Sequence, residues 1–331
     1  MIKQRLAWVV VLVLAVACTK TSPELLPIPK HFPPLVYTFT GNPLSEEGVA
    51  LGKRLFYDPV LSSDSSVACG SCHHQPFAFS DRGRALSTGV GGRTGKRNAP
   101  GIFNVLWHPH FMADGGVNHL EVMPLAPITD TLEMNERVAH VNQKLQRSHH
   151  YPEQFKRVFG SDSITTRHVM LALAQFMGTL VSANSRYDRM LQRQETFTPV
   201  EEKGYRLFKA QCAGCHAGVL QTDFSFRNNG LDKEFSDMGR ARVTAQQEDE
   251  GKFRVPSLRN VALTAPYMHD GRFHTLEEVL QHYRTGIQHS HTLDKKLPGA
   301  IRLNDAEASA VISFLHTLTD SAFICEPAFR P

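Results

Sequence analysis

Cys69-Gly70-Ser71-Cys72-His73 and Cys212-Ala213-Gly214-Cys215-His216 repeat one pattern twice within 331 residues. Two thiols three positions apart, followed at once by an imidazole, form the attachment sequence of a c-type haem: the sulfurs add to the porphyrin vinyl groups and the adjacent histidine reaches the iron. The competing readings of Cys-x-x-Cys are a thioredoxin-like redox pair and half of a zinc site. A redox pair does not need the following histidine, and zinc sites rarely repeat it. Only six cysteines occur in the whole chain, so the double match implies two covalent haems with His73 and His216 on their irons. A chain so equipped moves electrons.

Outward from the motifs the similarity continues. Gly52-Lys53-Arg54-Leu55-Phe56 precedes the first and Gly204-Tyr205-Arg206-Leu207-Phe208 the second. Both read as the N-terminal helix of a cytochrome c unit, and Thr198-Pro199-Val200-Glu201 starts the second with a capping box and proline at the first helical position. Downstream, Pro100, Asn104, Val105, Phe111, Met112, Asp114, Gly115, Leu120 and Glu121 recur as Pro256, Asn260, Val261, Tyr267, Met268, Asp270, Gly271, Leu276 and Glu277, at a constant offset of 156 residues. The expected fold is all-α: two cytochrome c-like domains related by an internal repeat, each with one covalent haem. The expected boundaries are 41–195 for the first domain and 196–331 for the second.

The repeat also bears on the second iron ligands. An electron-transfer haem usually has a second protein ligand, Met or His. Met268 is the obvious candidate at the second haem, but Met112 holds the equivalent place in the first, and equivalent methionines in both units favour packing. Carried further, the same offset pairs Tyr283 with Pro127. A phenolate binds ferric iron and proline cannot, so Tyr283 is expected to close the second haem, with Met268 as the alternative, and the first haem is expected to be open.

The N-terminus carries Met1-Ile2-Lys3-Gln4-Arg5 and an apolar stretch from Leu6 to Ala17, a secretory signal too short to span a membrane comfortably. Export suits c-type haem, which is attached outside the cytoplasm. Cys18 follows Ala15-Val16-Ala17 and is the expected lipidation site, simple cleavage to a soluble periplasmic protein being the alternative. Residues 18–40 then serve as anchor and linker, and a lipid is the only expected attachment to a membrane. Cys325 is left without an evident partner, which excludes a disulfide framework. A net charge of +4 with interspersed signs gives no reason to expect nucleic acid binding.

These features resemble the bacterial di-haem cytochrome c peroxidases, in the superfamily that includes the MauG-type di-haem enzymes. The resemblance runs from about Leu44 to Thr319 and is carried by both haem motifs, Arg97-Asn98-Ala99-Pro100, Asp114-Gly115, Leu132-Glu133-Met134 and the stretch from Pro256 to Tyr267. It implies that His73 is proximal at a peroxide-reducing haem and His216 at a haem that receives electrons from a small cytochrome c or cupredoxin. It implies further that Glu133 is the distal acid-base group, that Pro127 is the distal proline, and that Asn98, Thr264 and Pro266 hold one calcium ion between the haems. Members of the family are often homodimers, although no seam can be read here.

The sequence also departs from the family. Where many relatives place a distal histidine that must leave on reduction, this chain has Val90 in a Gly89-Val90-Gly91-Gly92 stretch, so the peroxide site is expected to be open without activation. Tyr283 replaces the peroxidases' methionine and is a MauG-type feature. The distal glutamine is Met123, and the tryptophan between the haems is Ala113. Trp107 remains, with a buried packing role expected. The leading expectation is reduction of hydrogen peroxide to water. The alternatives are MauG-type oxidation of a protein substrate and a non-enzymatic electron carrier, the last requiring a hidden distal ligand such as Met112 or Met123.

Overall fold

The computed structural model describes residues 25–297 and 299–331. The expected signal over residues 1–17 and the expected acylation site Cys18 lie outside the described residues. The architecture is helical, and the named sheet among the described residues is a two-stranded ribbon in which Phe226–Arg227 pairs antiparallel with Phe253–Arg254.

Each half is built on one helix crossing. In the first, helix Glu46–Tyr57 is capped by Ser45, whose hydroxyl accepts from the Gly48 N–H at 3.0 Å, and two glutamates in the first turn offset the helix dipole. It buries Leu51, Leu55 and Phe56 and packs along helix Thr166–Thr179. In the second, helix Pro199–Gln211 starts with the anticipated Thr198/Glu201 capping box and packs along helix Asp305–His316. The helix backbones meet at a glycine each time. A Cβ on Gly52 would overlap the Ala172 carbonyl beside Phe176, and one on Gly204 would overlap the Ala310 carbonyl beside Phe314. Glycine is required there because no side chain fits at so close an approach.

The loops repeat as well. Asn104 and Asn260 take the left-handed conformation, at φ 53° and 58°, which asparagine tolerates. Their N–H groups donate to Leu180 and Leu318 at 2.8 and 2.9 Å. Both side chains reach Ser182, Asn104 Nδ2 at its carbonyl and Asn260 Nδ2 at its hydroxyl, each at 3.0 Å.

Two apolar cores result. Leu55, Phe56, Phe79, Trp107 and Phe176 belong to the first; Tyr187, Phe208, Phe314 and Leu318 to the second. Chain ends and ion pairs join them. Phe323, beyond the second core in sequence, returns to pack on Phe79 at 5.7 Å and Phe103 at 6.1 Å. Phe32, at the N-terminal edge of the first core, meets Trp107 edge to face at 5.0 Å and lies beneath the Arg259 guanidinium at 5.1 Å. Arg259 and Asp188 form a wholly buried ion pair, to which His31 adds its Nε2 at 3.0 Å.

Candidate active site

Both attachment loops are single tight turns. The His73 N–H donates to the Cys69 carbonyl at 2.9 Å and the His216 N–H to the Cys212 carbonyl at 3.0 Å, which closes each motif into one turn. His73 Nδ1 then donates to the Phe79 carbonyl at 2.7 Å, and His216 Nδ1 to Gln221 at 3.2 Å. A carbonyl can only accept, so Nδ1 carries the proton and Nε2 keeps its lone pair for a metal. Burial pushes both imidazoles below their ordinary pKa, which keeps that lone pair free.

Burial pushes the thiols the other way, Cys69 and Cys212 to about 12 each. A redox-active Cys-x-x-Cys lowers its thiol pKa, and these pockets are too dry for that role.

The expected distal residues of the first half are brought to one place. A turn capped by Asp130, which takes the Leu132 N–H at 2.8 Å, leads back so that the Met134 N–H donates to the Pro127 carbonyl at 3.1 Å. Pro127 sits in the short helix Leu125–Thr129, and Glu133 directly precedes the Met134 whose N–H reaches it. The Glu133 carboxyl has its pKa raised, by burial and then by the Asp130 charge, and its own charge is felt at both Cys69 and Cys72. Val90, 6% exposed, donates its N–H to the Glu133 carbonyl at 2.8 Å. Gly89 lies so close that a Cβ would overlap the Leu132 and Glu133 carbonyls. Met123 packs at the edge of the first core.

Trp107 is 1% exposed, and its indole donates to the Pro33 carbonyl at 2.8 Å, a packing role as expected. The Ala113 carbonyl accepts the Arg254 N–H at 2.8 Å, so the second half's ribbon pairs with the first half where the family has its tryptophan.

In the second half, helix Leu276–Gln281 runs into a π-turn over His282–Gly286, a local widening common at functional sites. It carries Tyr283, whose hydroxyl pKa is raised by burial with the Cys212 and Cys215 thiols nearby. Asn229 Nδ2 lies 3.4 Å from the Tyr283 hydroxyl and 3.3 Å from Met268 Sδ. Both candidate ligands therefore face the same pocket. Asn229 went unnoticed in the sequence, where Asn228-Asn229-Gly230 reads only as a turn.

The residues expected at calcium lie on the seam between the halves. The Asn98 N–H donates to the His269 carbonyl at 2.8 Å, and its side-chain amide faces the Arg84 and Ala85 carbonyls at 3.2 and 3.0 Å. The Ala265 carbonyl, between Thr264 and Pro266, accepts from the Gly83 N–H at 3.1 Å. Next door, Arg97 forms a fork to Asp237 at 2.6 and 2.8 Å and reaches Asp114 at 2.7 Å. No group of three or more His, Cys, Asp or Glu suited to a metal occurs among the described residues.

Two nitrogens of the half-buried Arg254, Nε and Nη1, are inaccessible and find no hydrogen-bond partner among the described residues, and burial lowers the guanidinium to about 10. Inaccessible guanidinium nitrogens without partners are costly, so they suit an anionic group. A porphyrin carries carboxylates, which suit Arg254 in size and charge. Dry thiols, neutral imidazoles and the orphaned Arg254 all fit haem.

Fold and site together define a protein of two cytochrome c-type units, each with its own haem-attachment loop. A family model described as di-haem cytochrome c peroxidase matches residues 46–196, and one described as cytochrome c matches residues 201–319. The chain is 37% identical over 305 residues to the methylamine utilization protein MauG of Methylorubrum extorquens, covering 89% of this chain and 82% of that protein. It is 32% identical over 290 residues to the cytochrome c551 peroxidase of Nitrosomonas europaea, covering 84% and 81%. The crystal structure of a MauG-like protein associated with microbial copper homeostasis superposes with a TM-score of 0.85 at 34% identity, over 92% of this chain and 97% of that one. The chain belongs to the di-haem cytochrome c peroxidase family and is an oxidoreductase with two c-type haem domains.

Proposed function

We propose that the protein reduces hydrogen peroxide to two molecules of water, taking two electrons from a small cytochrome c or cupredoxin and two protons from solvent. Cys69, Cys72 and His73 hold the peroxide-reducing haem in a domain over 41–195; Cys212, Cys215 and His216 hold the electron-receiving haem in a domain over 196–331. Haem, when bound, supplies the redox chemistry and the position at which peroxide is reduced.

The observation that carries this reading is Glu133: a shielded carboxyl whose charge reaches both thiols of the first attachment loop. Its raised pKa suits a group that takes the proton from one peroxide oxygen and returns it to the departing one. Pro127 and Val90 offer no donor to iron, which supports a first site open before reduction. Tyr283, with Met268 as the alternative, completes the second, and Asn98, Thr264 and Pro266 hold calcium at the seam. Residues 1–17 direct export to the periplasm of a Gram-negative bacterium, and Cys18 carries the lipid. Among the described residues no helix is long and apolar enough to cross a membrane.

Replacing Glu133 by Gln is the test. The expected result is a peroxide reaction slower by about 10²-fold or more, by stopped flow, with both haems attached. An unchanged rate removes Glu133 from the mechanism. MauG-type oxidation of a protein substrate is the second reading, favoured by the Tyr283 hydroxyl beside Asn229. It predicts slow peroxide turnover and a long-lived oxidised state instead.

A further inference from the structure

The two proximal imidazoles sit in unequal electrostatic surroundings. Two residues past Phe79, whose carbonyl holds His73, the chain buries Asp81, 3% exposed. The turn that places it closes by pairing His74 with Ser80. The Asp81 carboxylate accepts from the Ser87 hydroxyl at 2.8 Å and has His74 Nε2 at 3.7 Å. Among the described residues no lysine or arginine lies within ion-pair distance of it; Arg84, which follows closely, is exposed. The Asp81 charge is felt at both His73 and Cys72.

In the second half the corresponding carboxylate is Asp223. It is exposed, and Arg227 neutralises it at 2.7 Å while reaching Asp294 at 2.7 Å as well. At His216 the influences of Asp223 and Arg227 oppose each other. The first imidazole thus has beside it a buried carboxylate that no lysine or arginine among the described residues pairs, opposed at His73 by the neighbouring His74, and the second has a solvated carboxylate paired with Arg227.

We infer that Asp81 is a positioning residue that lowers the reduction potential of the haem held by His73, so that electrons rest preferentially on the other haem. This rests on the reading of His73 as an iron ligand. Gaining one electron removes one positive charge at the metal, and a fixed negative charge in a dry site opposes that gain far more than one in water does. Asp81 therefore favours the oxidised state on its side.

The test is a spectroelectrochemical titration of the di-haem protein, following the two haems by their spin-state bands. Asp81→Asn is expected to shift the first haem's midpoint upward and leave the second's in place, and Asp81→Glu, which keeps the charge, to restore it. Asp223→Asn is expected to move the second midpoint by less. A first midpoint unchanged in Asp81→Asn, or moved equally by Asn and Glu, overturns the inference. Should Asp81→Asn not accumulate, Ser87→Ala removes the hydroxyl that screens the carboxylate and is expected to shift the same midpoint downward, an unchanged value overturning the inference. His73→Gly separates the two readings. A first-haem spectrum that survives it overturns the ligand reading and this inference with it, whereas its loss beside an inert Asp81→Asn overturns the inference alone.

Discussion

Val90 donates its backbone N–H to the Glu133 carbonyl at 2.8 Å, so the loop with no ligand to offer also holds the backbone of the residue proposed for acid-base work. The contact depends on Gly89, where a Cβ would overlap the Leu132 and Glu133 carbonyls. Gly89→Ala is expected to push the Glu133 segment outward. A misplacement near 1 Å costs about 10²-fold in rate. The peroxide reaction should slow by that order with haem content unchanged, as measured by stopped flow alongside a pyridine haemochrome assay.

The acidity of Glu133 gives the pH dependence its sign. Burial, then Asp130, raises its pKa, so the carboxyl stays protonated to a higher pH than an ordinary glutamate. Acting as a base toward peroxide requires the ionised form. The rate constant for peroxide is expected to rise with pH through an inflection above the ordinary glutamate value of about 4.3, and Glu133→Gln to flatten that inflection.

Asn229 stands between two candidate ligands, 3.4 Å from the Tyr283 hydroxyl and 3.3 Å from Met268 Sδ. With Tyr283 on the second iron, Tyr283→Phe should change the low-spin electron paramagnetic resonance signal while Met268→Leu leaves it nearly intact. The reverse pattern assigns the ligand to Met268.

The buried pair of Asp188 and Arg259 joins helix Arg186–Leu191 to the turn before Val261, far away in sequence, and Asp188 also caps its own helix through Ser185. Asp188→Asn leaves Arg259 buried and unpaired, for an expected loss of about 3–5 kcal/mol in chemical denaturation. Burial raises the Asp188 pKa, but Arg259 and its other partners outweigh this and hold it below the ordinary aspartate value. The pair's stabilisation is therefore full above about pH 4 and lost as pH falls through the depressed pKa. The variant should lose that acid limb in a pH series of thermal melts.

Much of this was legible before any coordinates. The haem motifs declare themselves because thioether attachment needs both thiols and the imidazole within five consecutive residues. The repeat at an offset of 156 residues shows itself because the same backbone geometry is demanded twice, at Asn104 and Asn260 and again at Gly115 and Gly271, which share a φ of 71°. Gly52 and Gly204 were visible as motif members. That each admits a helix backbone was not, since the partners Ala172 and Ala310 lie more than a hundred residues away.

Two haem-bearing units, their helical class and the residues expected to attach each porphyrin could be read from residue order alone, because those are local requirements of covalent attachment and backbone conformation. The rest emerged only on folding: Arg254 with two nitrogens left without partners among the described residues, Asn229 set between Tyr283 and Met268, Asp81 buried while Asp223 is exposed and paired with Arg227, and the C-terminal Phe323 carried back onto the first core. Each depends on which distant groups exclude water from a charge or a ring. Burial is a property of the folded whole, and residue order alone does not contain it.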